Sequence, residues 1–298
     1  MPRACRRAAI VRPLRTLGLG LLGVLLLAAA WELYKAVGPE TGVVVGDRAV
    51  LPRTGDRAMP HVWDMVTRIA DPATGRRGDP LWLVVLRAGT FTLKIAAIGW
   101  LVGVVVGMAL ALLMQRLRLA EAAVLPWVVL SQTVPLIAIA PLVRRWGAQI
   151  HLGGFTWSNE NSVAVIAAYL AFFPVSVGLL RGLKSPDATH LDLMRTYGVG
   201  WWRTLSSLRL PASVPYLLPA LRLAAASAVI GTVVAEVSIG LRGGVGRLVI
   251  EYAQAAGGDP AKPWAPIFGA VAVGLVAAGF VALLGLALGP YRRSEVPA

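Results

Sequence analysis

The stretch that decides the fold covers residues 95–114 and reads IAAIGWLVGVVVGMALALLM. It holds 20 consecutive residues without a charge, the length that a helix needs to cross a hydrocarbon core of about 30 Å. Val, Ala, Leu and Gly dominate it, and the alternating pattern of membrane β-strands is absent. This stretch therefore predicts a membrane-spanning helix.

Similar apolar stretches recur along the chain. They predict further spans at residues 17–37, 122–143, 162–183, 216–237 and 265–289. Hydrophobic residues make up 57% of the 298-residue chain and charged residues only 15%, outside the usual range of soluble domains. We therefore predict an all-α, polytopic membrane protein with about six transmembrane helices.

The polar segments between the spans give the predicted domain boundaries. In order these are a cytoplasmic N-terminus at 1–16, a first helix at 17–37, a periplasmic loop at 38–94, a core domain of five helices at 95–289 with an inner loop at 184–215, and a cytoplasmic tail at 290–298. Five arginines before the first span favour a cytoplasmic N-terminus. A cleavable signal peptide ending near Ala28-Ala29-Ala30 is the alternative for residues 1–30.

One short amphipathic helix is predicted inside the periplasmic loop. Pro60 can occupy its first position, and an apolar stripe follows at Val62, Met65, Val66 and Ile69. Such a helix could lie on the outer membrane surface.

Several function classes are disfavoured by the composition. The net charge is +14, but the basic residues lie mostly between apolar spans and lack interleaved aromatics, which disfavours nucleic-acid binding. Cys5 is the only cysteine, and His61, His151 and His190 are far apart, which disfavours redox chemistry and a metal centre. No G-x-x-x-x-G-K-[ST] sequence is present to bind nucleotide phosphates.

The inner loop carries the most informative pattern. It is too long for a simple helical hairpin, and it contains Asp192-Leu193-Met194, then Gly198, then Leu208, Leu210 and Pro211. We predict helix, turn, helix, with Gly198 at the turn. The alternative is a solvated basic connector that attracts anionic lipid.

The same residues resemble the EAA loop of the permeases of binding-protein-dependent ABC importers. That loop has an acid-Ala-Ala triplet, a Gly after three residues and an aliphatic-x-Leu-Pro ending, and the spacing here is the same. Asp192 stands where the family usually has Glu, and Leu193 and Met194 replace the two alanines. The chain resembles the nitrate, sulfonate and taurine group, and residues 192–196 and 211–216 are also similar to permeases for pyrimidine precursors.

The resemblance implies a transporter subunit and not an enzyme. It implies half of a translocation pathway for a small solute, with an extracytoplasmic binding protein, a separate ATPase that uses ATP and Mg²⁺, a second permease copy in a homodimer, and no cofactor on this chain. It also implies a bacterial inner-membrane location with both termini cytoplasmic. The resemblance implies that residues 192–203 are the surface that contacts the ATPase. The residues implied to form the ATPase-coupling loop are Asp192, Leu193, Met194, Gly198, Trp201, Trp202, Arg203, Leu208, Leu210 and Pro211.

Four polar residues of the spans are candidates for the translocation pathway: Gln132, Thr133, Arg222 and Glu236. The alternatives are helix kinks and packing near Gln132 and Thr133, and snorkelling of Arg222 and Glu236 to the membrane interfaces. Trp201 and Trp202 could insert into the ATPase or anchor the chain at the bilayer surface. A glycine every fourth residue, at 99, 103 and 107, predicts close helix packing.

Two other classes of membrane protein fit less well. A secondary transporter usually needs acids near the membrane midplane and inverted repeats, neither of which is evident. A membrane enzyme would need a nucleophile, a base or metal ligands that converge at one depth, and the histidines and acids are scattered.

Overall fold

The computed structural model describes residues 3–45, 48–75 and 78–287. The predicted tail at 290–298 lies outside these residues, as does the end of the last predicted span. By its internal contacts the chain divides into two units, Met1–Trp82 with Tyr252–Ala265 and Leu83–Glu251 with Pro266–Ala298.

The described chain is mostly helical, as predicted. Five helices are long and apolar enough to cross a membrane, and a bent helix pair brings the number to six if it counts as one span. The strands of the described residues form two short antiparallel hairpins. The all-α polytopic class is confirmed.

The first unit contains a long N-terminal helix followed by short elements. Its helices and strands are α1 (Arg3–Val37), β1 (Val43–Val45), β2 (Arg48–Leu51) and α2 (Val62–Thr67). Lys35 near the end of α1 fixes the following loop, because its ammonium group donates to the Thr54 carbonyl at 3.2 Å, the Met59 carbonyl at 2.6 Å and the Asp56 carboxylate at 2.6 Å.

The predicted amphipathic helix is present but differs in detail. It begins at Val62 and not at Pro60, and one 3₁₀ turn continues it from Arg68 to Ala70. Met65 is buried, whereas Val66 is 56% exposed. The start shifts because Glu32 of α1 accepts the Val62 N–H at 2.7 Å and thereby fixes the first turn.

The second unit contains the remaining spans. It contains all or most of α3 (Leu81–Arg116), α4 (Arg118–Leu130), α5 (Leu136–Gly147), β3 (His151–Leu152), β4 (Phe155–Thr156), α6 (Asn159–Leu183), α7 (Ala188–Thr196), α8 (Trp201–Thr204), α9 (Leu210–Ile239), α10 (Val245–Gln254) and α11 (Trp264–Ala287). Extensive packing of α6 against α9 forms its centre.

The helix that contains the second predicted span begins before that span. Helix α3 begins at Leu81, 14 residues before residue 95. Arg87 and Lys94 interrupt the apolar pattern, but no proline follows Pro80 until the helix ends. The two charged residues therefore shortened the predicted span, although they do not end the helix.

The third predicted span, 122–143, is not one straight helix. Helices α4 and α5 meet at a bend of 104° near residues 131–135. Pro135 lacks an N–H and disfavours helical conformation in the residue before it, and Val134 is extended at φ −76° and ψ 127°. The predicted helix break is confirmed, and its angle turns the span into a broken pair.

The glycines of α3 allow the predicted close packing. A Cβ on Gly103 would lie 2.9 Å from the Ala168 carbonyl oxygen, and a Cβ on Gly107 would lie 2.6 Å from that of Phe172. Both carbonyls belong to α6. The interpretation of these glycines as a helix-packing surface is confirmed.

Candidate functional site

The inner loop forms the predicted helix, turn and helix. Helix α7 ends near Tyr197, and Gly198 has a positive φ of 65°, the left-handed conformation in which glycine avoids a steric penalty. The N–H groups of Gly198 and Val199 donate to the carbonyls of Arg195 and Met194, both at 2.9 Å. These bonds close α7 and redirect the chain into α8.

Asp187 defines the other end of α7. Its carboxylate accepts the backbone N–H of Thr189 at 2.9 Å, which is an N-cap contact. This hydrogen bond lowers the pKa of Asp187 below its ordinary value. The short helix is therefore bounded at both ends by local interactions.

Large apolar side chains of this segment face outward. Tyr197 is 77% exposed, Trp202 75% and Leu193 52%. Trp201 differs from its neighbour, because the Arg116 guanidinium lies 4.3 Å from its ring centre and the indole packs against the core beside Leu205. The two tryptophans therefore have separate roles, Trp201 in packing and Trp202 at the surface.

The other residues of the predicted coupling loop are exposed or half-buried. Asp192 is exposed and pairs with Arg195 at 3.0 Å, and Arg203 is exposed. A π-helical turn, Leu205–Arg209, joins α8 to α9, so that Trp201–Ile239 forms one continuous stretch of 39 residues. The half-buried members of the predicted set are Met194, Leu208, Leu210 and Pro211.

Glu236 lies at the centre of a buried polar cluster. Its side chain has no exposed surface, and its two oxygens accept the Thr92 hydroxyl and the Gly246 N–H, each at 2.8 Å. Thr92 in turn accepts the Val245 N–H at 3.0 Å. The cluster thus joins α3 and α9 to the first turn of α10, whose free N–H groups favour a negative partner.

The turn between α9 and α10 fits closely over this carboxyl group. Gly240 and Gly243 have φ values of 72° and 97°, and a Cβ on Gly244 would clash with the Glu236 carboxyl group. Snorkelling of Glu236 to the interface is therefore wrong, because the turn encloses its side chain.

Comparison with known proteins now identifies the family. Residues 103–289 match the model of the binding-protein-dependent transport system inner membrane component, which is more than half of the chain. The chain is a member of this ABC permease family. The matched region contains both the helix–turn–helix segment and the buried Glu236.

Relatives of this permease are named for different solutes. It is 33% identical to the formylaminopyrimidine transport permease protein ThiX of Halalkalibacterium halodurans over 68% of this chain and 77% of the relative. It is 31% identical to the putative aliphatic sulfonates transport permease protein SsuC of Bacillus subtilis over 67% of this chain and 68% of the relative. The expected resemblance to both groups is confirmed.

The family defines the activity of the chain. It is a membrane-spanning permease subunit of an ABC importer and not an enzyme, and a separate ATPase powers transport. It therefore works with an ATP-binding subunit and a substrate-binding protein. Its several membrane-capable helices make it a multi-pass protein of the inner membrane.

The four pathway candidates of the permease lie at different places. Gln132 and Thr133 are at the bend between α4 and α5, where Thr133 donates to the Leu130 carbonyl at 2.8 Å. Arg222 is exposed on α9, 14 residues or about 21 Å along the helix from Glu236. The described residues show no cluster of the four, and their role in a pathway stays a prediction.

Two polar residues of the permease were not anticipated. Thr92 contacts Glu236 across 144 residues of sequence, and the Tyr169 hydroxyl of α6 donates to the Ser131 carbonyl at the bend. Thr92 is an isolated threonine in an apolar span, so no local pattern indicated its role. The polar Ser131-Gln132-Thr133 before Pro135 is the sequence signal that could have indicated a hydrogen-bond partner at the bend.

Proposed function

We propose that the segment from α7 to the start of α9 is the surface through which this permease receives the movement of its ATPase. The observation that carries this proposal is the outward apolar surface formed by Leu193, Tyr197 and Trp202. Large exposed apolar groups among charged residues are typical of a protein-binding surface. A short helix that presents such groups can dock in a groove of a partner.

The connection of this segment to the membrane supports the proposal. Helix α8 continues through the π-helical turn into α9, and the Arg209 guanidinium donates to the Leu183 carbonyl of α6 at 2.9 Å. Leu205 is buried with Leu179 and Leu183 of α6. A force applied at Trp202 would therefore move α8, α9 and the end of α6 together.

The proposal also sets the orientation and assembly of the permease. The segment and both termini face the cytoplasm, in agreement with the five arginines before the first span. A second copy completes the translocation pathway as a homodimer, since one chain supplies half of it. ATP and Mg²⁺ bind the ATPase, and this chain holds no cofactor.

The solute is proposed to be a small polar organic molecule that the binding protein selects. Relatives named for formylaminopyrimidine and for aliphatic sulfonates have nearly equal identity to this chain, 33% and 31%. Permeases this similar can therefore serve different solutes. Binding assays of the partner binding protein with both solute classes would identify the substrate.

The experiment that tests the proposed coupling surface compares substitutions within it with a substitution of an exposed tryptophan elsewhere in the chain. Trp202→Ala and Leu193→Asp should insert and fold normally but lose assembly with the ATPase and substrate-stimulated ATP hydrolysis. Trp63→Ala, at a tryptophan that is 56% exposed in the first unit, is the matched control and should keep both activities. The stronger pair Asp192→Lys with Gly198→Arg should have the same effect as Trp202→Ala.

Normal assembly and stimulated hydrolysis in all of these segment variants would refute the coupling assignment. Equal loss in Trp63→Ala would show that the assay measures general damage and would also contradict the assignment.

A further inference from the structure

An apolar cleft opens on the second unit between α3, α9 and α11. Its volume is about 230 Å³. The residues that define it include Leu93, Ala96, Trp100, Ala225, Val229 and Phe280. Ala96 and Val229 form a buried floor, whereas Val276 and Phe280 at the rim are 56% and 54% exposed. The cleft is therefore accessible from the surface of the membrane-spanning helices.

One end of the cleft has a fixed shape. The Trp100 indole N–H donates to the Leu221 carbonyl at 3.2 Å and ties α3 to α9. The Trp100 ring meets Phe280 of α11 edge to face, with ring centres 6.3 Å apart. Two aromatic rings on separate helices thus form a wall at this end.

A positive charge lies just beyond that wall. Arg222 follows Leu221 directly, its side chain is exposed, and one guanidinium nitrogen is 3.4 Å from the position that a Cβ would take on Gly285. Gly285 comes four residues, about 6 Å along the helix, after Val281, which lines the cleft. The guanidinium therefore lies between α9 and α11, at the end of the cleft nearer the start of α9.

Arg222 falls inside the predicted span at 216–237, where a guanidinium favours an anionic partner. A charged side chain within a span is costly unless it reaches an interface, water or a countercharge. Gly285 has no side chain, so the guanidinium can approach α11 closely at this position. Basic sites between transmembrane helices are suited to acidic lipid headgroups.

We propose that the cleft and Arg222 together bind one phospholipid with an acidic headgroup. Part of an acyl chain occupies the apolar cleft, and the phosphate accepts hydrogen bonds from the Arg222 guanidinium. A volume of about 230 Å³ holds about seven groups the size of a water molecule or a methylene, which is about half of a common acyl chain. Guanidinium and phosphate form strong charge-assisted hydrogen bonds.

This role differs from a role of Arg222 in the solute pathway. The cleft is lined by apolar side chains, so a polar solute would find one polar partner there and many apolar ones. A lipid fits both parts of the site. Its acyl tail packs against the apolar side chains of the cleft, and its phosphate binds the Arg222 guanidinium.

The test compares lipid retention by four purified full-length proteins. Wild type, Arg222→Gln, Arg222→Lys and Arg145→Gln are reconstituted in nanodiscs of equal phosphatidylglycerol and phosphatidylethanolamine, extracted in mild detergent and measured by native mass spectrometry. Arg145 is an exposed arginine in the last turn of α5 and serves as the matched control. Each spectrum gives the mass of the chain, its oligomeric state and its retained lipid.

We expect wild type, Arg222→Lys and Arg145→Gln to retain about one phosphatidylglycerol per chain, and Arg222→Gln to retain about fivefold less. Ala277→Phe, which fills the cleft and leaves Arg222 in place, should also lose the lipid. Added phosphatidylglycerol should raise the melting temperature of wild type but not of Arg222→Gln.

Three outcomes would overturn the proposal. Equal retention of both lipids by wild type would show that the headgroup is not recognised, and undiminished retention by Arg222→Gln would place the lipid elsewhere. Dissociation of a permease dimer in Arg222→Gln or Ala277→Phe, without a lipid difference, would show that a second copy covers the cleft.

Discussion

The Glu236 carboxyl group accepts the backbone N–H of Gly246 at 2.8 Å, although ten residues and a tight turn separate them. The same carboxyl group accepts the Thr92 hydroxyl of α3. One buried side chain therefore holds the start of α10 against two spans, and the stability of this corner should depend on it.

Replacement of Glu236 by Ala should destabilise the permease by about 3 kcal/mol, because the Thr92 hydroxyl and the Gly246 N–H would both be left buried without this acceptor. Glu236→Gln should cost less, since its amide keeps one acceptor oxygen. Thermal unfolding in detergent measures the effect. Glu251→Gln, which removes only the half-exposed pair with Arg247, is the control and should change little.

Replacement of Gly103 by Val should destabilise the packing of α3 against α6 by about 1 to 3 kcal/mol, because a Cβ would lie 2.6 Å from that of Ala171. Gly274→Val on α11 has no atom within 4 Å of the new Cβ and is the matched control. The yield of folded protein and its melting temperature give the comparison. Equal behaviour of the two variants would contradict the close contact.

Gly198 and Gly200 provide a pair of substitutions that isolates backbone conformation. Both have open space at the position that a Cβ would take, but Gly198 has a φ of 65° and Gly200 a φ of −66°. Gly198→Ala should cost about 1 to 2 kcal/mol in local stability, whereas Gly200→Ala should cost less. Hydrogen exchange of the α7 and α8 amides measures this difference, and similar exchange in both variants would argue against strain at residue 198.

The stability of α7 should fall in acid. The backbone hydrogen bond from Thr189 lowers the native pKa of Asp187 below its ordinary value of 3.8. The carboxylate therefore stabilises α7 fully above that ordinary value, and this contribution is lost as the pH falls through the lowered native pKa.

Asp187→Asn keeps a capping oxygen without a titrating group, so it should remove this pH dependence. Hydrogen-exchange protection of α7, corrected for the intrinsic exchange rate, is compared at pH 6 and pH 3. An identical decrease in wild type and Asp187→Asn would show that Asp187 is not responsible.

The sequence predicted features that depend on local pattern. Apolar length predicted the spans, the four-residue glycine spacing predicted the packing of α3, and Gly198 was expected at the turn where it lies. These features arise from helix geometry and from the backbone freedom of glycine, both of which are local.

Features that depend on contacts between distant residues were not predictable from the sequence alone. The Thr92 contact to Glu236 joins residues 144 positions apart, and snorkelling was an equally reasonable prediction for a single acid at the end of a span. The 104° bend between α4 and α5 was anticipated as a break, but its angle depends on neighbours such as Tyr169. The separate environments of Trp201 and Trp202 depend on Arg116, which belongs to another helix.

The uninterrupted stretch Trp201–Ile239 has a mechanical consequence. At 1.5 Å per residue, its 39 residues span about 58 Å, roughly twice the hydrocarbon thickness of a bilayer. If such a rod pivots near one end, a tilt of about 5° displaces the far end by about 5 Å, which is about the rise of one helical turn. If the proposed coupling surface receives a small rotation at Trp202, the resulting displacement at Ile239 would be large enough to open or close a path for a small solute.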